Sequence, residues 1–310
     1  MKITSLLFGI FSGCISLPLA CAADYTWNGG NASWTDSGAW LLDGNAADWV
    51  NGSNALFQTG STLAVGSGIS ASGLLYEGVA VTLNGGSLTL TGNASGSNGG
   101  SATLSGTALT LNAADAEDAW TVRDTSLSGS STLTKTGNGT VTLSGTHTAN
   151  GTWNINEGTL VFTGTRDITG GGQINIASGA VLDTSEGRLF HAANYASNWE
   201  QPTITLNGGT LKLNQFGYNS ASLGCLQNNF YALKFSSGTT SRVVISQGYE
   251  SGGTGSRGIY IAGWGTTAVI ELGANQTFTW SSSNGQNFDS IVCESGAGSA
   301  LQLDLSLIHI

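Results

Sequence analysis

The sequence predicts an all-β protein built as a β-solenoid, and three observations carry this prediction. Apolar residues recur at every second position, which indicates strands that bury one face. A glycine or an Asn-Gly pair interrupts the chain roughly every five to eight residues, as turns between short strands do. One pattern of strand, turn and strand then repeats along most of the length, which is typical of stacked turns.

The segment 1–22 predicts a secretory signal peptide. Lys2 precedes the apolar run "LLFGIFSGCISLPLA", and the small residues "ACA" allow cleavage before Ala23. An alternative, a lipoprotein signal that acylates Cys21, is disfavoured because Pro18 stands where such signals carry an aliphatic residue. The mature protein is therefore expected outside the inner membrane.

Residues 23–80 differ in composition from the rest and predict an N-terminal cap. Trp27, Trp34, Trp40 and Trp49 lie close together in this segment. Large rings can cover the open end of an apolar core that would otherwise meet water. The alternative is a carbohydrate platform, in which the four Trp rings would be exposed and coplanar.

Residues 81–304 carry the repeats and predict the solenoid itself. Copies read "VTLNGGSLTLTG" from Val81, "TLTKTGNGTVTLSG" from Thr132 and "TWNINEGTLVFTG" from Thr152. The first apolar residues after the marker glycines follow one another at steps of 21, 32, 19, 21 and 30 residues, which indicates turns of about 20 residues with insertions. These residues are Leu88, Leu109, Val141, Leu160, Val181 and Leu211.

Stacked turns would lie about 4.8 Å apart and bond their backbones to the turns above and below. Inward side chains would then stack like on like, with Leu88 over Leu109 and Leu160 over Val181. Outward positions hold mostly Thr, Ser and Asn. Neutral polar residues are expected there because like charges in register on neighbouring strands destabilise a sheet.

One copy, "LTKTGNGTVTLSGTHTANGTWNINEGTLVFTG" from Leu133 to Gly164, is close to a known consensus. It resembles the autotransporter-associated β-strand repeat of bacterial surface passengers, and it covers about a tenth of the chain. The resemblance implies a right-handed parallel β-helix at the bacterial surface and no particular activity. The matching residues are Leu133, Lys135, Gly137, Gly139, Val141, Leu143, Gly145, Gly151, Gly158 and Leu160.

The charge balance limits the partners of this chain. It has 9 Lys and Arg against 19 Asp and Glu, a net charge of −10, so the basic surface that binds nucleic acid is missing. No run after the signal is long and apolar enough to cross a bilayer as a helix. The expected partners are glycans or the surface of a host or neighbouring cell, and a membrane only through a missing C-terminal translocator or anchor.

The motifs of catalysis and cofactor binding are absent from the sequence, so we predict no catalytic, cofactor-binding or metal residues. Paired acids for glycoside cleavage, a Ser-His-Asp pattern and a zinc-ligand pattern are all missing. The acidic cluster Asp115, Glu117, Asp118 and Asp124 could hold Ca²⁺ through its oxygens. A solvated loop is the preferred interpretation because no EF-hand loop or calcium-binding nonapeptide surrounds it.

Two irregular segments interrupt the repeats, and the first of them holds the candidate ligand-contact loop: Arg188, His191, Tyr195, Trp199 and Glu200. Loops that project from a solenoid often carry its specificity. The alternative is that these side chains pack on their own turn.

The segment 305–310, "LSLIHI", differs in composition from the repeats, which are rich in Gly, Ser, Thr and Asn. It resembles the in-frame translation of a common sequencing adapter, so we expect the solenoid to be incomplete at its C-terminus; the alternative is a short apolar strand. Cys225 and Cys293 remain after signal cleavage, and the sequence leaves open whether they pair.

These observations predict a non-enzymatic, exported structural passenger or stalk with an adhesin-like surface role, secreted or on the bacterial cell surface, with an outer-membrane association if a β-barrel follows. A polysaccharide-cleaving lyase or glycosidase on a β-helix is the first alternative. A carbohydrate-binding surface module is the second.

Overall fold

The computed structural model describes residues 22–30, 32–166, 172–187, 189, 203–213, 215–216, 225–226, 232–236, 239–245, 260–262, 267–272, 277–280, 290–295 and 300–303. All regular elements in these ranges are β-strands, which confirms the all-β prediction. Signal residues 1–21 and the segment 305–310 lie outside the described residues. Within the described ranges, no helix has the length and apolar character needed to cross a membrane.

The N-terminal segment begins with three short strands that pair differently from the rest of the chain. Strand β1 pairs antiparallel with β2, and β2 pairs antiparallel with β3. On its other side β1 runs parallel to β4, with Tyr25 opposite Ala55. The strands of the segment are β1 Asp24–Trp27, β2 Trp40–Leu42, β3 Asn45–Ala47, β4 Ser53–Phe57, β5 Ser61–Ala64 and β6 Ile69–Glu77.

Five turns of three strands each follow this segment, and their strands alternate between buried and partly exposed residues. The first three turns are β7 Ala80–Asn84, β8 Ser87–Leu90, β9 Ala94–Ser97; β10 Ser101–Ser105, β11 Ala108–Asn112, β12 Ala119–Val122; and β13 Thr125–Ser128, β14 Thr132–Thr136, β15 Thr140–Leu143. The next two are β16 Thr146–His147, β17 Trp153–Ile155, β18 Thr159–Phe162; and β19 Thr165–Arg166, β20 Gln173–Ile176, β21 Val181–Asp183.

The turns stack in parallel and in register, so that the solenoid has three faces. Face 1 contains β5, β7, β10 and β13, face 2 contains β8, β11, β14, β17 and β20, and face 3 contains β9, β12, β15, β18 and β21. The long strand β6 pairs with both β8 and β9 and so serves two faces at once. This arrangement confirms the β-solenoid prediction.

Beyond residue 200, faces 2 and 3 continue through further parallel pairs. Face 2 extends through β22, β26 and β28, and face 3 through β23, β27, β29 and β31. The strands of this part are β22 Thr203–Leu206, β23 Thr210–Leu213, β24 Gln215–Phe216, β25 Cys225–Leu226, β26 Ala232–Phe235, β27 Thr240–Ile245, β28 Tyr260–Ala262, β29 Thr267–Leu272, β30 Thr277–Trp280, β31 Ser290–Ser295 and β32 Ala300–Leu303.

Each face presents a column of buried apolar side chains to one shared core. On face 1 the column is Leu63, Leu83, Leu104 and Leu127, all at most 1% exposed. On face 2, Leu88 lies over Leu109, as the repeats predict, and the column continues through Leu133, Trp153 and Ile174. Burial of these side chains is the main favourable term for the stack.

The predicted order of stacking needs two corrections. Leu109 lies opposite Leu133 on face 2, whereas Val141 lies opposite Trp120 on face 3, so the 32-residue step joins two different faces. Leu160 lies opposite Leu182 and not opposite Val181.

The second error has a local cause at Gly179. In most of the other copies the inward residue follows the marker glycine by two positions, as Leu160 follows Gly158. After Gly179 the side chains of Ala180 and Leu182 are buried, and Val181 between them is only partly buried. One extra residue in the turn therefore moves Val181 outward, because side chains alternate along a strand.

Substitution of Gly137 tests how closely the backbones of successive turns approach each other. Its φ is +73°, and a Cβ at this position would collide with the carbonyl oxygen of Ala113 in the turn before. We expect Gly137→Ala to lower the free energy of unfolding by about 3 kcal/mol or more, because the backbone must shift as well as adopt a left-handed conformation.

Gly85→Ala is the matched control for Gly137→Ala. Gly85 also has a positive φ, +61°, but nothing lies within 4 Å of its Cβ position. Its substitution should cost only the conformational strain, about 1 kcal/mol. Urea unfolding measures the free energy of unfolding of both variants. Equal losses for the two would contradict the prediction that backbone contact between turns makes Gly137→Ala the more destabilising change.

Candidate functional site

The N-terminal Trp cluster is the first candidate site, and its rings are largely buried. Trp34 and Trp40 have no exposed surface, and Trp27 is 2% exposed. Trp49 lies at the edge of the cluster and is partly buried. The ring centroids of Trp34, Trp40 and Trp49 are 4.7–5.1 Å apart, and their planes are inclined at 45–85° to one another.

Hydrogen bonds fix three of these rings within the protein. Trp27 Nε1 donates to Ser61 Oγ at 2.9 Å, Trp40 Nε1 to the Trp34 carbonyl at 2.8 Å, and Trp49 Nε1 to Asn51 Oδ1 at 3.0 Å.

The cluster also continues the apolar core of the solenoid. Trp40 packs on Phe57 at 5.5 Å, and Phe57 in turn packs on Tyr76 at 6.0 Å. Rings that cover the end of a core are suited to act as a cap. This geometry does not supply the exposed, coplanar ring faces that a carbohydrate platform at Trp27, Trp34, Trp40 and Trp49 requires.

The second candidate, the predicted ligand-contact loop, lies outside the described residues. This applies to all five of its members: Arg188, His191, Tyr195, Trp199 and Glu200. Cys225 and Cys293 fall on described strands, Cys225 opposite Gln215 and Cys293 opposite Ile270. Those strands belong to separate sheets.

The acidic cluster that was considered for Ca²⁺ is divided between local turns. Asp118 Oδ2 accepts a hydrogen bond from the Asp115 backbone N–H at 3.0 Å. Asp124 Oδ2 accepts one from the Gly96 backbone N–H at 3.1 Å and lies 3.8 Å from Arg123 Nε. Among the described residues, no group of three or more His, Cys, Asp or Glu side chains is arranged to hold a metal ion.

Lys135, which belongs to the repeat consensus, is buried and closes a turn. Its Nζ donates to three backbone carbonyls, those of Thr136 at 2.9 Å, Gly137 at 2.7 Å and Glu157 at 3.3 Å. The Glu157 carboxylate accepts a hydrogen bond from the Gly137 backbone N–H at 2.8 Å. Burial lowers the pKa of Lys135, and the charge of Glu157 opposes this shift. The lysine thus joins two successive turns.

A second buried polar cluster lies between the fourth and fifth turns. His147 and Arg166 are opposite each other on β16 and β19, and both have no exposed surface. The guanidinium carbon of Arg166 stands 4.4 Å from the ring centroid of Trp153, and Nη2 donates to the Gly151 carbonyl at 2.8 Å. The Trp153 and Phe162 rings each lie 5.7 Å from the imidazole.

Sequence reasoning did not recognise this cluster. A signal was present, because "GTH" at 145–147 aligns with "GTR" at 164–166 one turn later. The alignment puts the two basic residues at the same position of successive turns. In the third turn this position holds Leu127, whose side chain is buried in the core. The alignment therefore indicates that His147 and Arg166 are buried as well.

The exterior of face 2 carries a continuous file of neutral polar side chains. Thr89, Thr110, Thr134, Asn154 and Asn175 follow one another in register, and all are partly buried. Asn175 Nδ2 donates to Asn154 Oδ1 at 2.9 Å, which makes the file a hydrogen-bonded ladder at this point. The file presents hydroxyl and amide groups without charge.

In comparison with known proteins, residues 133–162 match the family model described as passenger-associated-transport-repeat. This part of the chain is similar to a passenger-associated-transport-repeat. This match and the β-solenoid fit an autotransporter passenger β-helix repeat protein, as the sequence resemblance implies. No curated protein and no solved structure matches the chain.

The passenger repeat covers most of the two buried clusters described above. Lys135, His147, Trp153 and Phe162 all lie within the matched residues, and Arg166 follows shortly after them. A passenger repeat of this kind implies an exported or cell-surface protein.

Lys135→Met tests whether the buried lysine stabilises the passenger repeat. Methionine keeps the apolar stem but leaves three carbonyls without their donor, so we expect the free energy of unfolding to fall by about 2 kcal/mol. Lys212→Met is the control, since Lys212 is 43% exposed and 3.7 Å from the Asp183 carboxylate. Its loss should be below about 0.5 kcal/mol. If urea unfolding gives equal values for the two variants, Lys135 does not have this role.

Proposed function

We propose that the chain is an exported structural passenger that serves as a spacer or stalk, without enzymatic activity. The observation that carries this proposal is the passenger repeat at 133–162, which forms part of an in-register parallel stack. A stack of this kind grows in length with each added turn, and each turn contacts only its neighbours. That property suits a role in holding other segments away from a surface.

The use of the ionisable side chains supports a structural role. Lys135 and Glu157 close a turn, and His147 and Arg166 are buried between turns. Asp118 bonds within its own loop. Polysaccharide cleavage by a glycosidase requires two carboxyl groups that face one scissile bond. These side chains are instead engaged with the backbone of the protein, which favours the structural role over the enzymatic alternative.

The partners we propose are glycans or the surface of a host or neighbouring cell. The neutral ladder of face 2, from Thr89 to Asn175, supports this proposal. Hydroxyl and amide groups exchange hydrogen bonds with sugar hydroxyls.

Export is tested by labelling intact bacteria that produce the full chain followed by an outer-membrane β-barrel translocator. An epitope placed between Asn98 and Gly99, both exposed in the turn after β9, should be accessible on intact cells. The control lacks residues 1–22 and should be labelled only after lysis. If the complete fusion is labelled only after lysis, the export proposal fails.

The absence of enzymatic activity is tested separately with the purified mature chain. We expect no new reducing ends and no unsaturated products from a panel of neutral and acidic polysaccharides. Release of either product would favour the lyase or glycosidase alternative. The labelling experiment and the activity assay can therefore contradict the two parts of the proposal, export and the absence of enzymatic activity, independently of each other.

A further inference from the structure

The backbone ladder of face 1 is interrupted between the third and fourth turns. Backbone pairing joins β5, β7, β10 and β13 in one sheet, whereas β16 and β19 form a separate pair. At the interruption, the Thr148 and Ala149 backbone N–H groups both donate to the Leu127 carbonyl, at 2.8 and 3.1 Å. One carbonyl therefore serves two donors of the next turn.

The imidazole of His147 completes this ladder. The Leu127 backbone N–H donates to His147 Nδ1 at 3.2 Å, in a position where a strand would normally offer a backbone carbonyl. Since Nδ1 accepts a hydrogen bond, the single ring proton of the neutral imidazole is on Nε2. His147 thus acts as a side-chain acceptor between β13 and β16.

The surroundings of His147 favour the neutral ring. The side chain has no exposed surface, and its aromatic neighbours are Trp153 and Phe162. Of the strands packed against it, β13, β17 and β18 contain no ionisable residue, and β19 contributes Arg166 directly opposite. Among the described strands around the ring, the charge that faces it is therefore positive.

We propose that protonation of His147 opens the contact between β13 and β16, so that the solenoid loosens locally at this position in acid. The second proton can bind only at Nδ1, which would remove the acceptor for the Leu127 N–H and place two donors against each other. The imidazolium would also stand beside the Arg166 guanidinium. Both effects act at one place in the stack, around a histidine of the passenger repeat.

The direction of the pKa shift agrees with this geometry. Burial lowers the pKa of His147 to about 4; a hydrogen bond with the Ser144 backbone opposes this shift, and the smaller effect of the Arg166 charge acts in the same direction as burial. An opened segment would have a histidine pKa of about 6.5. The closed contact is therefore fully stable above that pH and weakens as the pH falls toward 4.

Amide hydrogen exchange of the full mature chain tests the proposal. Protection factors, corrected for the intrinsic pH dependence of exchange, are compared at pH 7.5 and pH 5.0 for peptides covering 125–151 and, as an internal reference, 80–112. We expect protection in 125–151 to fall about 30-fold relative to the reference, as follows from the two pKa values. Unchanged relative protection would overturn the proposal.

His147→Asn is the matched variant, because Asn Oδ1 can accept the Leu127 N–H in place of Nδ1 and does not titrate. Its relative protection should change less than about threefold between the two pH values. An acid response as large as that of the wild type would assign the effect to another group and contradict the proposal.

A second measurement keeps the test decisive if His147→Asn does not fold. The chain has three histidines, so a His191→Asn/His309→Asn variant leaves His147 alone to be followed by NMR. We expect its ring resonances to titrate below pH 5 together with loss of protection in 125–151. Titration near pH 6.5 with the fold intact would show that the ring is free to take a proton, and the proposal would be wrong.

Discussion

In-register parallel stacking is the constraint on which the rest of this structure depends. Each turn must place its backbone N–H and C=O groups opposite those of the turns before and after it. It must also place an apolar side chain over an apolar side chain, as in the column from Leu63 to Leu127 on face 1. Outside, the same register brings equal residues together, and neutral files such as Thr89, Thr110 and Thr134 avoid the repulsion of stacked charges.

The ionisable residues of the passenger repeat are best understood as substitutes for missing backbone partners. Where the chain bends around Gly137, Lys135 supplies the donors and Glu157 the acceptor that a turn lacks. Where face 1 is interrupted, His147 supplies an acceptor to Leu127. Arg166 donates to Gly151 from within the core. Buried polar groups generally need hydrogen-bond partners, and these residues find theirs on the backbone. Nε2 of His147 is buried without a hydrogen-bond partner among the described residues.

Much of the fold could be predicted from the sequence because alternation and repetition are local signals. The stacking of Leu88 on Leu109 follows from the marker glycines alone. The same rule fails at Val181, because one extra residue in a turn reverses which side chain points inward. The extra residue can be recognised only from the pairing with the neighbouring turn. The stacking of Leu109 on Leu133 was not predicted for a related reason. The loop between β11 and β12 makes the end of this turn difficult to recognise in the sequence.

The polar interior was harder to predict than the apolar one. A histidine in a Thr-rich segment has the composition of an exposed turn, and its burial depends on an interruption of the sheet in another turn. The aligned triplets at 145–147 and 164–166 show that His147 and Arg166 share a position, but not that the imidazole replaces a carbonyl. That role depends on geometry across three turns, which no short pattern encodes.

The cap differs from the repeats because the end of a solenoid has to meet two separate requirements. An exposed apolar core must be covered, and the tilted rings of Trp34, Trp40 and Trp49 do so over Phe57. Unpaired strand edges must also be protected from pairing with other chains. The antiparallel strands β2 and β3 cover the free edge of β1, so that β1 is paired on both sides, with β2 and with β4. A sequence that repeated without change to its first residue could meet neither requirement, so the departure from the repeat at 23–80 is itself a consequence of stacking.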